Sequence, residues 1–374
     1  MTTEPLKIVG VPNSLYTGRA RSYFIKAGIP YREIPPSDPH YLSTILPLAG
    51  GRIGLPTIEL PDGRVIRDGA AIIDHFEDES GHTFSPATPK QRFFSRLFDA
   101  IGAEGLLRPA MHYRWNFEEE NLNYLLFHFR MLAPPGPAGE EMAAKSANAM
   151  RRATVGFGVT EETVPVVEEV YEEQLAAINA HFAAYPYLLG GRPCIGDFGL
   201  YAPMFAHLGR DPKPLSIMFD RALSAYRWVE RMGRETSDVV EFQNREETYL
   251  PDDAIPDTLI DLLKAMAVDF VPETLAAADA INAWLAEQND LPALTPSKRA
   301  AGTASFDLRG TTINAIAQPY RFYLLKRAQD ELASMDEGTR AEVNAMLDKA
   351  GTTPVMSAKL SREMGLRDNK EVWL

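Results

Sequence analysis

Over residues 6–79 the spacing of apolar and polar positions changes several times, and each change marks an element. The run Leu6-Lys7-Ile8-Val9-Gly10-Val11 reads as a buried strand. The loop Pro12-Asn13-Ser14-Leu15 leads into a helical period over about residues 16–27, which Gly28 stops, as a glycine just past the last helical residue does. Residues 29–34 return as a strand, and residues 40–46 suit a short helix. The segment Gly54-Leu55-Pro56-Thr57-Ile58-Glu59-Leu60, the turn pair Asp62-Gly63 and Arg64-Val65-Ile66 predict a hairpin, and residues 69–78 a closing amphipathic helix. The expected order is βαβ, then α, then ββα.

Beyond a turn-rich linker at residues 80–89 the period becomes helical. Helices are expected over about residues 92–103, 118–132, 140–153, 161–184 and 221–232. The polar stretch 235–253 reads as a boundary. After it, Pro256 and Pro272 each stand at an expected helix start, residues 304–313 suit a short hairpin, and residues 319–332 and 337–347 are again helical. Three domains are expected, over residues 1–82, 90–235 and 250–374.

Composition narrows the partners. A formal net charge of −13 disfavours nucleic acid and anionic membrane, both of which need a basic surface. No apolar run approaches the about 20 residues of a membrane span, and the first residues are too polar for a secretory leader. The single cysteine, Cys194, rules out an internal disulfide, so a cytoplasmic location is expected. No two histidines fall at the spacing of a metal motif, and neither a phosphate-binding loop nor a nucleophile elbow is present.

Three motifs carry a resemblance. Pro12-Asn13-Ser14-Leu15-Tyr16-Thr17-Gly18-Arg19-Ala20-Arg21 is similar to a strand-to-helix turn with a serine ahead of a basic helix start. Gly54-Leu55-Pro56 is similar to a Val-Pro motif with a cis proline, and Arg67-Asp68-Gly69-Ala70-Ala71-Ile72 to a Glu-Ser-x-Ala-Ile turn. In this order they resemble the thioredoxin-like N-terminal domain of the glutathione transferase superfamily, in its serine-type, bacterial form. Downstream, Leu188-Leu189-Gly190 and Cys194-Ile195-Gly196-Asp197 resemble the family's helix-start segment, with Cys194 where Ser or Thr is usual and Asp197 as a structural cap. The fold class this implies is an α/β thioredoxin-like domain, an all-α second domain and a mostly helical C-terminal extension.

The resemblance also implies a chemistry. A free thiol has a pKa of roughly 8.5, so an enzyme using glutathione as co-substrate must favour the thiolate. A hydroxyl donor and a helix N-terminus can do so. Ser14 matches the family's catalytic serine, with Tyr16 or Thr17 as alternatives; equally, Ser14 could serve only as a helix cap. No cysteine stands in this loop, which speaks against mixed-disulfide chemistry. By resemblance Leu55, beside Pro56, pairs with the cysteinyl backbone of glutathione. Asp68 would meet the γ-glutamyl ammonium, and Gly69 keeps the N–H but lacks the hydroxyl of the family's Ser. The aromatic and basic residues Tyr113, Arg114 and Trp115, between two expected helices, are candidates for holding a small, largely apolar electrophile. A homodimer is expected from the resemblance alone. A different class of function fits the same residues: a non-catalytic ligand-binding or protein-interaction module whose long tail is the partner surface.

Overall fold

The computed structural model describes residues 5–236, 239–288 and 290–374. The N-terminal residues 1–4, on which the expectation of no leader partly rests, lie outside the described residues, as do positions 237–238 within the expected boundary.

In the first segment β1 (Leu6–Val9) hands over to α1 (Leu15–Lys26), followed by β2 (Tyr31–Ile34), the short helical stretches Tyr41–Ile45 and α2 (Leu46–Leu48), β3 (Thr57–Glu59), β4 (Val65–Arg67) and α3 (Gly69–Ser80). The sheet order is β2-β1-β3-β4. β1 and β2 run parallel with Leu6 opposite Tyr31, whereas β3 is antiparallel to both β1 and β4. Ile8, Val9 and Ile58 are fully buried, so the centre of the sheet is dry on both faces. This is the order read from the periodicity.

The remainder is mostly helical. α4 (Pro89–Gly105), α5 (Leu107–Trp115), α6 (Glu118–Arg130), α7 (Pro137–Ala153), α8 (Val164–Ala184), α9 (Ile195–Pro203), α10 (Pro212–Arg221) and α11 (Leu223–Met232) succeed one another along the chain. α4 and α9 pack so closely that a Cβ on Gly102 would lie 2.5 Å from the Leu200 amide nitrogen. Asp197 stabilises the start of α9, accepting hydrogen bonds from the Cys194 and Leu188 amides at 2.9 and 3.1 Å and from Trp228 Nε1 at 3.0 Å.

Two readings change. The residues around Tyr113 do not link helices: they lie within α5, with only Asn116 and Phe117 before α6. Nor do Pro256 and Pro272 start separate helices, because α12 (Asp257–Ala286) is one helix of 30 residues with Pro272 inside it. An interior proline costs about 3 kcal/mol. Here apolar burial on both sides, by Leu262, Leu263, Met266 and Phe270 before it and Ala277, Ala278 and Ile281 after it, outweighs that cost.

Then come β5 (Thr303–Leu308) and β6 (Thr311–Ile316), a hairpin as expected, α13 (Tyr320–Ser334), α14 (Glu337–Ala350), α15 (Thr353–Ser357), and a second hairpin, β7 (Met364–Arg367) and β8 (Lys370–Trp373). Asp368 and Asn369 turn this last hairpin with φ of 48° and 60°, the left-handed values of a two-residue hairpin turn. α13 lies along α4 and is tied to it and to α3 by ion pairs of Arg92 with Glu331 and of Arg327 with Asp74 and Asp99. The main buried cluster runs from Leu6 in the first segment to Trp373 in the last hairpin, whereas α6 and α7 pack with the end of α5 in a cluster of their own. Among the described residues no helix is long and apolar enough to cross a membrane.

Candidate functional site

The turn from β1 into α1 is built around two small residues. A Cβ on Gly10 would fall 2.2 Å from Thr17 Cγ2, so only glycine lets the helix start lie against the strand end. Ser14 is the N-cap of α1, in extended conformation (φ −79°, ψ 124°), and its Oγ accepts the Thr17 amide at 3.3 Å. The serine is half-buried, and among the described residues its O–H donates to no other group. A partly accessible hydroxyl donor thus sits at the positive end of a helix of 12 residues.

The neighbouring hydroxyls are differently placed. Tyr16 donates to Glu104 Oε1 at 3.2 Å. Burial first, and then the Glu104 carboxylate, push its phenol well above the usual tyrosine range. Thr17 is fully buried, with its Oγ1 unpartnered and close to Gly10.

The other two motifs converge on the same place. The Leu55–Pro56 peptide is cis. Among the described residues neither the amide nor the carbonyl of Leu55 is hydrogen-bonded within the chain, and the residue is half-buried. A Cβ on Gly69 would lie 3.5 Å from the Tyr16 carbonyl oxygen, 3.5 Å from Arg19 Cδ and 3.9 Å from Pro56 Cγ. The three segments therefore meet at Gly69. These are ordinary contact distances, so Gly69→Ser is expected to fold with a stability within about 0.5 kcal/mol of the parent, as a urea titration would read. A larger loss would mean that the turn has no room for the hydroxyl.

Asp68, just before Gly69, adopts φ 94° and is the N-cap of α3. Its Oδ1 accepts the Ala70 and Ala71 amides at 2.9 and 3.0 Å, and its Oδ2 accepts the Tyr320 hydroxyl at 2.6 Å. Burial raises its carboxyl above the usual range, against the pull of the Tyr320 hydrogen bond. Sequence reasoning missed Tyr320, and with it Asn369 and Glu371. Asn369 Oδ1 accepts the Arg67 amide at 2.9 Å and its Nδ2 donates to the Val65 carbonyl at 2.9 Å, so one side chain covers the edge of β4. Glu371 pairs with Arg67 at 2.9 Å. The only sequence signal for this hairpin is the Asp368-Asn369 pair between polar and apolar residues.

Tyr113, Arg114 and Trp115 point in different directions. Tyr113 stacks on Phe117 and packs against Tyr171, buried in the core. Arg114 is buried and bidentate with Asp211, at 2.6 and 2.9 Å, and also donates to the carbonyls of Ala206 at 2.6 Å and Asn13 at 3.3 Å. Arg114 and Trp115 line a cavity of about 250 Å³ walled by Leu122, Leu125, Leu126 and Ala147; Tyr113 does not line it. Arg114 touches both this cavity and the residue before Ser14. Among the described residues no cluster of three or more His, Cys, Asp or Glu is arranged to hold a metal ion.

Comparison with known proteins bears on the first segment. Residues 8–84 match the family model of the glutathione S-transferase N-terminal domain. No curated protein sequence matches the chain. Solved structures similar to it include glutathione transferase GSTFuA3 from Phanerochaete chrysosporium, with 15% identity over 63% of this chain and 98% of that one and a TM-score of 0.45. A glutathione S-transferase from Rhodospirillum rubrum F11 has 12% identity over 69% and 99% of the two chains, with a TM-score of 0.38. One from Methylobacterium radiotolerans, in complex with glutathione sulfonate, has 14% identity over 62% and 92%, also with a TM-score of 0.38. The sequence likeness to the glutathione S-transferase N-terminal domain is thus confined to residues 8–84.

Proposed function

We propose that this chain is a glutathione-transferase-like enzyme that binds a glutathione-type thiol across Ser14 and Leu55 and presents its thiolate to a small, largely apolar electrophile. One observation carries the reading: the half-buried hydroxyl of Ser14 at the N-terminus of α1, with one lone pair engaged by the Thr17 amide and its proton uncommitted. Such a hydroxyl has its proton available to donate to a thiolate. The helix end adds favourable potential for the same anion. The unpaired amide and carbonyl of Leu55 supply a short edge on which a cysteinyl backbone can pair. Tyr16 is the weaker candidate, because its hydroxyl is turned to Glu104.

In the reaction the sulfur loses its proton to solvent on binding. Its electron pair then forms the bond to the electrophilic carbon, and the leaving group departs with the electrons of the broken bond. The cavity beside Trp115 combines the apolar Leu122, Leu125 and Leu126 with the polar Glu118, Asn148 and Arg151, and suits a largely apolar electrophile that carries a polar group. Conjugation by displacement and ether cleavage both follow this step; in an isomerisation the sulfur adds instead to a double bond, whose electrons move onto an electron-withdrawing group and, after rotation, return to expel the thiolate.

A second reading, a ligand-binding or interaction module without turnover, is favoured by one observation: the Ala70 and Ala71 amides at the start of α3 are already satisfied by Asp68. Glutathione titrated calorimetrically into the parent and Ser14→Ala, with thiolate absorbance followed against pH, separates the two. The parent is expected to lower the thiol pKa below its free value. Ser14→Ala should raise it by about 1–2, the equivalent of one charge-assisted hydrogen bond. Absence of binding at millimolar glutathione removes the enzyme reading.

A further inference from the structure

We infer that Asp68, clamped by Tyr320 of the C-terminal extension, fills the anion seat at the start of α3 with the chain's own carboxylate, so that the thiol substrate is recognised without its γ-glutamyl group. The inference rests on the proposed binding of a thiol beside Ser14.

The N-terminus of a helix attracts a carboxylate because its first amides have no partner within the helix. In α3 two of those amides, of Ala70 and Ala71, converge on Asp68 Oδ1 at 2.9 and 3.0 Å. The carboxylate cannot easily rotate away, since its other oxygen takes the Tyr320 hydroxyl at 2.6 Å. The amide of Gly69 remains, but a second anion bound there would stand beside the charge of Asp68. Arg19 offers no alternative. It lies beneath the turn, 1% exposed, with Nη2 paired to Asp99 and with Nε and Nη1 unpartnered but closed off from solvent. The backbone of Asp68, with φ 94° and ψ 134°, is held by these three hydrogen bonds in a conformation that favours glycine. Tyr320 is 252 residues away in the chain, which makes the extension a wall of this site.

The test compares two thiols, glutathione and cysteinylglycine, which lacks the γ-glutamyl group, by calorimetric titration under reducing conditions. The parent is expected to bind the two within fivefold of each other. Asp68→Gly, which suits the local backbone and opens the Ala70 and Ala71 amides, is expected to move the ratio more than fivefold in favour of glutathione. Tyr320→Phe keeps the carboxylate and removes its clamp, and should move the ratio in the same direction, which covers the case in which Asp68→Gly does not fold. A parent that prefers glutathione by more than fivefold overturns the inference, as does a ratio unmoved in both variants. Folded parent protein that binds neither thiol overturns the inference together with the enzyme reading. Equal binding of both thiols with an unchanged thiol pKa in Ser14→Ala upholds the recognition and removes only the catalytic role of Ser14.

Discussion

Asp211→Ala is expected to destabilise the protein by about 3–5 kcal/mol, because it strands a buried guanidinium without its counter-charge. Asp211 is fully buried and Arg114 is 5% exposed. The two form a fork of hydrogen bonds at 2.6 and 2.9 Å, and the remaining donors of Arg114 reach the Ala206 and Asn13 carbonyls. This geometry holds the loop before Ser14 against the helical segment. Arg114 therefore acts first as a positioning residue for that loop, whatever it contributes to the cavity wall. The check is a urea titration of the parent, Asp211→Ala, Arg114→Met and the double variant. The double variant should be more stable than Asp211→Ala alone, since removing both charges leaves none unpaired. A loss below about 1 kcal/mol in Asp211→Ala would mean that water reaches the pair.

The second large effect is a loss of stability in mild acid to which His181 contributes, beside His207, His112 and His128, whose pKa values burial also lowers. This imidazole is fully buried in α8, hydrogen-bonded through Nδ1 to Thr258 Oγ1 of α12 at 2.9 Å, and burial lowers its pKa to about 4. In the unfolded chain it titrates near 6.5. Between those values the unfolded state holds the proton and the folded state does not. The stability that His181 contributes is thus complete above pH about 6.5 and falls as the pH drops towards about 4, by about 3 kcal/mol for this residue. Urea midpoints at pH about 7.5 and about 4.5 should show most of that loss in the parent. In His181→Gln the drop over the same interval should shrink by about 2–3 kcal/mol, because the contributions of the carboxylates and of the other buried histidines are common to both proteins. An equal drop in both would place the acid sensitivity elsewhere.

The range of its contacts sets how much of the candidate site is legible in the sequence. Ser14 is legible as a helix start, since a cap bonds an amide three residues on, as it does here with Thr17. The cis proline, the hairpin through Asp62-Gly63 and the meeting of the three motifs belong to a fold that residues 8–84 share with a known family. Arg114 is legible as a functional residue type but not in its role, which depends on Asp211, 97 residues away. Pro272 misleads because a proline's local cost is visible in sequence, whereas the burial that overrides it is not.

The sequence by itself determined the order βαβ, α, ββα, the helical character of the chain beyond residue 89 and the residues at the start of α1. Each of these depends on periodicity, turn chemistry or bonds to near neighbours. Only the tertiary structure decided that Tyr320, Asn369 and Glu371 return over the first segment, through contacts spanning 252 to 304 residues. Side chains that meet at such separations leave no periodic trace along the chain, because their partnership exists only once the intervening helices have packed.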